Sequence, residues 1–308
     1  MNIRKILALS ALFITATNHA QYTDVINSNR PGESQAAYAL GKNVFQVEAG
    51  ISGINEKHNL LNTETSGMFG DLNLRFGLLL EELELNAKLQ YQGDMYTTAL
   101  GTEDRNGIKR SSVGLKYLIY DPYKYYDDKV NVYSWKANHK FKWHQLIPAV
   151  SFYAGANFNL NNQFTNYKFD NSIGPKLAII TQNQFNHSFV LVMNLISDNI
   201  TTSAPGYTYI LTLTKGFSKR WSGFVENQGI KSDYYSDSIL RGGAAFLISP
   251  SFQVDASVST NFKDTPSILY GGVGMSWRYD RFYKPVEWKE KKKKGKGKDA
   301  KSYDSKKK

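Results

Sequence analysis

The sequence predicts an all-β protein, a single antiparallel up-and-down transmembrane β-barrel of about twelve strands, with fourteen as the alternative count. Three observations predict this fold. Stretches of about ten residues alternate between apolar and polar side chains, as in SFQVDASVSTNF at 251–262. The connectors between these stretches alternate between short and long. Aromatic residues cluster near the ends of the stretches, as in the interfacial girdles of membrane proteins.

The alternation is clearest in ELELNAKLQY at 82–91, where Leu83, Leu85 and Leu89 oppose glutamate, asparagine and lysine side chains. A strand of ~9–11 residues crosses a bilayer, and most of the stretches are about that long. We therefore expect apolar side chains to face lipid and polar ones to face an enclosed lumen. A soluble exported β-sandwich or lipocalin-like barrel, with the reverse orientation, is the alternative. The candidate strands are 44–51, 71–78, 82–91, 109–120, 146–160, 173–183, 187–197, 207–217, 221–230, 238–248, 251–262 and 267–279.

The connectors predict which end of the barrel holds the termini. An even number of strands puts both termini on the short-turn side, which is periplasmic in outer-membrane barrels. The segment 121–145 interrupts the pattern, and we interpret it as a periplasmic insertion, with an extra hairpin as the alternative. The short turns are expected at 79–81, 184–186, 218–220 and 249–250, and long polar loops at 52–70, 92–108, 161–172, 198–206 and 231–237.

The two ends of the chain differ in composition from the middle. Residues 1–20 resemble an export signal, with Arg4 and Lys5 before the apolar run 6–16 and a small residue, Ala20, at the expected cleavage point. The predicted organisation is a signal peptide at 1–20, an N-terminal periplasmic segment at 21–42, the barrel at 43–280 and a basic disordered tail at 281–308. This organisation predicts that the protein is exported and located in the outer membrane of a Gram-negative bacterium.

The net charge of +11 comes mostly from the tail, since 289–308 holds 11 lysines against three acids. Residues 21–288 are close to neutral, which argues against a nucleic-acid-binding face. The tail could attract an anionic envelope polymer or protein, or it could be only a solubilising extension. The chain has no cysteine, so disulfides and thiolate metal sites are excluded.

The polar faces of the predicted strands carry both signs of charge. Six acids and seven bases nearly cancel, so two interpretations stay open: structural salt bridges that fill the interior, or a polar constriction on a solute path. The candidate lumen-lining residues are Glu48, Arg75, Glu84, Lys88, Lys116, Lys176, Glu226, Arg241, Asp255 and Arg278, with Asp71, Glu82 and Arg110 on the same faces.

The stretch 27–34 precedes the first strand and contains Asn29, Arg30 and Pro31. Arg30 could fold into the periplasmic mouth and pair with a lumen carboxylate, so that this segment acts as a plug. An ordinary turn that closes onto the barrel is the alternative.

Catalysis is not expected, and the sequence predicts no catalytic residue, metal or cofactor. The histidines left after cleavage are His58, His139, His144 and His187, and none has the Ser and acid context of a triad. A metal site at His139 and His144 would need further ligands.

Several motifs resemble a known family. They are SNRPGES at 28–34, FQVEAG at 45–50, DLNLRFGL at 71–78, and WSGFVENQG, LRGGAAFLISPSFQVDASVS and YGGVGMSWRYD within 221–280. Over roughly 24–280 the chain resembles the outer-membrane transporter family labelled "MetA-pathway of phenol degradation". It departs from the family pattern at SNRPGES, where TDRPD-like sequences are common, and in the 121–145 insertion and the lysine tail.

The resemblance implies an outer-membrane barrel that takes up small, often hydrophobic compounds. We therefore expect a channel or transporter for passive passage of small, hydrophobic or aromatic molecules, with outer-membrane lipid and the solute as its partners. The alternative is a non-conducting barrel that anchors or organises the envelope through the 121–145 insertion and the lysine-rich tail.

Overall fold

The computed structural model describes residues 25–122, 143–159, 163–164, 172–185 and 188–283. These residues form twelve β-strands and one short 3-10 helix at Trp143–Leu146. The strands are β1 (Phe45–His58), β2 (Thr63–Gly77), β3 (Leu83–Thr98), β4 (Gly101–Tyr120), β5 (Ala149–Phe158), β6 (Ile173–Phe185), β7 (Phe189–Asp198), β8 (Gly206–Gly216), β9 (Trp221–Ser232), β10 (Ser236–Ser249), β11 (Phe252–Asn261) and β12 (Ser267–Tyr279).

Each strand pairs antiparallel with the next along the chain, and β12 pairs with β1, so the sheet closes into a barrel. The closing pair runs from Phe45 opposite Tyr279 to Lys57 opposite Ser267. Closure satisfies the backbone groups that lipid cannot hydrate. The predicted fold class and the count of twelve strands are confirmed. No helix among the described residues is long and apolar enough to cross a membrane.

The side chains alternate as a membrane barrel requires. On β12, Ser276 is 0% exposed whereas its neighbours Met275 and Trp277 are 51% and 45% exposed. On β1, Glu48 is buried and Ile51 is exposed. Polar groups therefore point to the barrel axis and apolar groups point outward, as the sequence predicts and opposite to a soluble sandwich.

Aromatic rings gather at the end of the barrel that holds the short turns and both described chain ends, which we call the turn end. Trp221 packs against Phe246 with 4.8 Å between ring centroids, and Trp277 packs against Tyr279 at 5.8 Å. The opposite end is called the loop end. The predicted girdle is present at the turn end.

Two of the predicted long loops are wrong. The segments 52–70 and 92–108 are mostly strand, because β1 continues to His58, β2 begins at Thr63, β3 continues to Thr98 and β4 begins at Gly101. At about 3.3 Å per residue, the 20 residues of β4 extend roughly 65 Å, well beyond a hydrocarbon core of ~30 Å. Outside lipid both faces of a strand meet water, so the hydrophobic alternation fades although the ladder continues.

The other predicted connectors differ less. The loop predicted at 198–206 is 199–205, and the loop predicted at 231–237 shortens to 233–235. Much of 161–172, the 121–145 insertion between 123 and 142, the export signal and the tail from 284 onward lie outside the described residues. Predictions for them stay predictions.

Candidate functional site in the barrel lumen

Residues 25–42, here called the N-terminal segment, lie inside the barrel. Ile26 N donates to Pro250 O at 2.8 Å in the turn between β10 and β11, and Asn43 N donates to Gly77 O at 3.0 Å at the end of β2. The segment therefore begins and ends at the turn end. Between these points it is packed in the interior, and Ala37 is 0% exposed.

The segment makes almost a full circuit of the inner wall. Its hydrogen bonds reach successive strands, and many of them join a segment backbone group to a wall side chain. Such bonds satisfy backbone N–H and C=O groups of the segment, which forms no helix or strand. In chain order, the hydroxyls of Ser28 and Ser276 of β12 are hydrogen-bonded at 2.6 Å, and Gln35 N donates to Asn194 of β7 at 2.6 Å. Ala37 N donates to Gln182 of β6 at 3.0 Å, and Ala37 O accepts from Ser151 of β5 at 2.5 Å. Leu40 N donates to Glu84 of β3 at 3.1 Å.

Glu226 of β9 holds the middle of the segment. Its carboxylate accepts hydrogen bonds from Glu33 N at 3.1 Å and Ser34 N at 3.3 Å. It also accepts one from Thr212 at 2.7 Å and pairs with Arg241. A buried carboxylate that accepts this many hydrogen bonds can anchor a backbone turn.

A second anchor lies on β2, β3 and β4. Lys116 Nζ donates to Ala36 O at 2.9 Å and Tyr38 O at 3.0 Å, and it lies 3.2 Å from Glu84. Arg75 is fully buried and bonds Glu84 at 2.7 Å and Glu48 at 3.2 Å. Arg75 also donates to Asn27 O, at 2.7 Å.

The third anchor is formed by one row of residues across β2, β1, β12 and β11. Asp71 is opposite Gly50, Gly50 is opposite Gly274, and Gly274 is opposite Asp255. We call this row the cradle. The Arg30 guanidinium lies over the two glycines, pairs with Asp71 through Nη1, and bonds Asp255 through Nη2 at 3.2 Å and Nε at 3.4 Å.

The two glycines of the cradle are required by close approach. A Cβ built on Gly50 would lie 2.5 Å from Arg30 Nη1, and a Cβ on Gly274 would overlap the same guanidinium. Because both positions lack a side chain, the planar group can lie flat against the wall between two carboxylates. The Arg30–Pro31 peptide bond is cis.

Most of the sequence-predicted lumen residues lie around the N-terminal segment. Lys88 pairs with Glu33 of the segment, but its side chain remains 39% exposed. Lys176 lies apart from the segment and pairs with Asp198 at 3.2 Å near the loop end. Arg278 lies at the turn end, 3.2 Å from Asp280. Of the ten candidate lumen-lining residues, those that contact the segment directly are Lys88, Lys116, Arg75, Glu48, Glu84, Glu226 and Asp255, and Arg241 contacts it through Glu226.

The predicted plug residues have distinct partners. Asn29 N donates to Glu48 at 3.1 Å, and Asn29 Oδ1 accepts from Ala36 N at 3.0 Å, which closes a loop within the segment. Arg30 occupies the cradle, and Gln253 donates to its carbonyl oxygen at 3.3 Å. Pro31 lies next to the cavities described below.

Sequence reasoning missed the uncharged wall residues, since it selected lumen candidates by charge. Gln182, Asn194 and Ser151 hold the segment but carry no charge. Their inward positions follow from strand alternation, which could have identified them as wall residues. Gly50 and Gly274 give no comparable signal in the sequence. The need for glycine at these positions becomes apparent only when the position of the Arg30 guanidinium is known.

Two cavities flank the segment. A pocket of about 60 Å³ faces the loop end and is lined mainly by charged and polar groups, among them Arg30, Glu48, Asp71, Lys88 and Arg241. A cavity of about 330 Å³ lies toward the turn end, against β6 to β11. Its wall is uncharged apart from Arg30, and it mixes apolar with amide and hydroxyl groups: Val190, Val192, Phe224, Ala245, Gln182, Gln184, Thr212, Thr214 and Gln253.

Within the described parts of the chain, no three His, Asp or Glu side chains are grouped as a metal site would require. Of the two histidines predicted as weak metal candidates, His139 lies outside the described residues, and no side-chain position is described for His144.

Comparison with a solved outer membrane channel gives the same fold. An outer membrane channel from Pseudomonas putida F1 aligns with a TM-score of 0.53 and 10% identity, covering 82% of this chain and all of that one. The translocator domain of the autotransporter NalP from Neisseria meningitidis aligns with a TM-score of 0.48 and 10% identity, covering 78% of this chain and 89% of that one. At such identities the likeness concerns the fold alone. No curated protein sequence matches this chain.

The family comparison is more specific. The model of the family described as "Putative MetA-pathway of phenol degradation" matches residues 28–279, which include the N-terminal segment from Ser28 onward and all twelve strands. The resemblance found in the sequence motifs is therefore confirmed, and the chain belongs to this family.

Proposed function

We propose that this protein is an outer-membrane channel for passive passage of small molecules, and that the N-terminal segment is its plug. In this proposal the turn end faces the periplasm and the loop end faces the outside, as in other outer-membrane barrels. The solute moves down its own gradient, so neither a cofactor nor an energy source is needed.

One observation carries the proposal: a stretch of the N-terminal segment around Arg30, Pro31 and Gly32 contacts both lumen cavities. The small pocket lies toward the loop end of this stretch and the larger cavity toward the turn end, so the segment occupies the lumen between them. A barrel whose interior served only as a core would fill this space with wall side chains. Here a separate piece of chain fills it, held by hydrogen bonds that can be exchanged for water.

The turn-end cavity supports a class of solute. Its wall offers Val192, Phe224 and Ala245 beside the amide of Gln182 and the hydroxyl of Thr212. Sites of this kind suit a small uncharged molecule with an apolar body and one or two hydrogen-bonding groups. The description of the family names phenol degradation, and a phenol-like molecule has this chemistry.

Passage requires the plug to move, because no solute can pass between Arg30 and the cradle as they stand. Release of the segment would leave Glu226, Lys116 and the cradle carboxylates facing open water, which can solvate them. The wall itself need not change, since the twelve strands pair without the segment.

The test is conductance in planar bilayers. The full-length protein and a variant lacking residues 25–42 are refolded and compared, and a variant lacking residues 289–308 serves as a control deletion of similar length. We expect low conductance from the full-length protein and the tail deletion, and a several-fold larger conductance from the plug deletion. Equal conductance of all three proteins would contradict the plug, and absence of any conductance would contradict the channel.

The filled lumen also favours a second candidate, a non-conducting barrel that organises the envelope. In that case the 121–145 insertion and the lysine-rich tail would bind an anionic envelope polymer or an acidic protein. No variant would then conduct, and the tail deletion alone would abolish retention of the barrel on an anionic polymer. Salt would weaken that retention, because the attraction is electrostatic.

A further inference from the structure

We infer that the cradle is a binding site for a planar organic cation of the guanidinium type, and that Arg30 is its tethered occupant. A free cation of this class would exchange with Arg30 and so favour release of the N-terminal segment. This inference rests on the proposed function only for its consequence, since binding to the cradle does not require transport.

The occupant that is present defines the chemistry. The guanidinium of Arg30 makes contacts with two carboxylates on opposite sides, Asp71 and Asp255. Three of its nitrogens take part: Nη1 toward Asp71, and Nη2 and Nε toward Asp255. A flat, forked donor satisfies this geometry, whereas an ammonium presents its donors on a tetrahedron.

The wall is shaped for a flat group. Gly50 and Gly274 are paired in register at the centre of the cradle, and a Cβ at either position would overlap the Arg30 guanidinium. The two outer positions of the row, Asp71 and Asp255, are the aspartates that contact the guanidinium. The cradle is thus flat at its centre and negatively charged at both ends.

The cradle also needs a cation when Arg30 leaves. With Arg30 in place the Asp255 side chain is 0% exposed and that of Asp71 is 16% exposed, so the guanidinium is their main charged partner. Without Arg30 the two carboxylates of the cradle would face the lumen with no positive partner, and their mutual repulsion is unfavourable even where water solvates them. A soluble cation that takes the place of Arg30 removes this cost and shifts the equilibrium toward the released segment.

Access is available from the loop end. The loop-end pocket is lined by Arg30 and Asp71, so a solute in this pocket lies beside Arg30 and one of its carboxylates. The pocket is small at about 60 Å³, which limits the entering group to one of a few heavy atoms. Methylguanidinium is therefore a suitable probe.

The first measurement is calorimetric titration of methylguanidinium into the detergent-solubilised Arg30→Ala variant, in which the cradle is empty whether or not the segment stays docked. We expect saturable binding at one site. Methylammonium has the same charge without the planar fork and should bind at least tenfold more weakly. The double variant Arg30→Ala/Asp255→Asn should lose binding at least tenfold, and heat-modifiability on a gel shows that each variant is a folded barrel.

The second measurement tests exchange with Arg30 in place. The chain has no cysteine, so Ser34→Cys supplies a single thiol in the segment. It is treated with a maleimide that carries a polyethylene glycol chain too wide to enter the barrel. Methylguanidinium should accelerate labelling several-fold, and sodium chloride of equal ionic strength should not.

Absence of saturable binding to Arg30→Ala would overturn the inference, and so would either of two other results. One is binding to Arg30→Ala that the Asp255→Asn change leaves unaltered. The other is saturable binding without faster labelling of the thiol. Neither result depends on conductance, so failure here is distinct from failure of the plug deletion to conduct.

Discussion

Replacement of Gly274 by alanine should release the N-terminal segment. The added Cβ would overlap the Arg30 guanidinium, which must then leave its position between Asp71 and Asp255. Gly271, three residues away on the same strand, provides the matched control, because a Cβ there meets no atom closer than 4.0 Å.

The magnitude follows from the ion pairs that are lost. Breaking a buried ion pair costs about 3–5 kcal/mol. The lower end of this range applies because the side chains of Arg30 and Asp71 are 11% and 16% exposed. A cost of ~3 kcal/mol increases the released population roughly 100-fold, since ~1.4 kcal/mol corresponds to a factor of ten. The wall itself is little affected, because the strand tolerates alanine as well as glycine at a position of ordinary backbone conformation.

The assay is the rate of maleimide labelling of Ser34→Cys, carried in the parent, Gly274→Ala and Gly271→Ala backgrounds. When the segment closes faster than the thiol reacts, the rate is proportional to the released fraction. We expect Gly274→Ala to label roughly 100-fold faster, and Gly271→Ala to label at the parental rate. Equal rates for both glycine variants would refute the argument from the cradle, even if Arg30→Ala labels fast.

Three further predictions concern the other anchors and the lipid face. Glu226→Gln should weaken the hydrogen bonds from Glu33 N and Ser34 N and leave Arg241 without its carboxylate partner. The rate of thiol labelling should therefore rise about tenfold, in line with ~1.5 kcal/mol for one hydrogen bond to a charged group. Lys116→Met should also speed labelling and should lower the barrel's unfolding midpoint in urea, because Glu84 loses one of its cationic partners. Leu211→Arg, at the centre of β8 and facing outward, should lower the free energy of unfolding in lipid by about 2–4 kcal/mol without changing the labelling rate.

These three predictions separate the segment from the wall. The control for the two anchors is Lys176→Met, since Lys176 pairs with Asp198 near the loop end, away from the segment, and its loss should leave labelling unchanged. The control for the lipid face is Leu211→Ala, which removes apolar area but adds no charge. A stability loss for Leu211→Arg no larger than that of Leu211→Ala would contradict the outward orientation. An unchanged labelling rate in Glu226→Gln would show that this carboxylate does not hold the segment.

The fold could be predicted because its main determinant is local. Alternation in stretches such as 82–91 and 251–262 depends on neighbouring residues alone, and short turns between strands set the antiparallel order. The parts that failed are those where this signal weakens. In β4, EDRNGIKR at 103–110 is polar on both faces, so hydropathy suggests a loop although backbone pairing with β3 continues.

The lumen was only partly predictable, because its contacts join residues far apart in sequence. Arg30 was expected to meet a lumen carboxylate, and alternation placed Asp71 and Asp255 on inward faces, yet nothing local selects these two. The path of the segment depends on Gln182 and Asn194, whose amides could equally bind water. Its role as a plug therefore stays a prediction, and it is the conductance experiment that tests it.

The position of the cradle also has a consequence for biogenesis. Its two aspartates belong to β2 and β11, on either side of the junction where the first strand meets the last. Until β1 and β12 have paired, Arg30 can reach one of the two carboxylates but not both. Its full set of bonds therefore forms only on a completed ring, and once formed it ties the amino-terminal hairpin to the carboxy-terminal one.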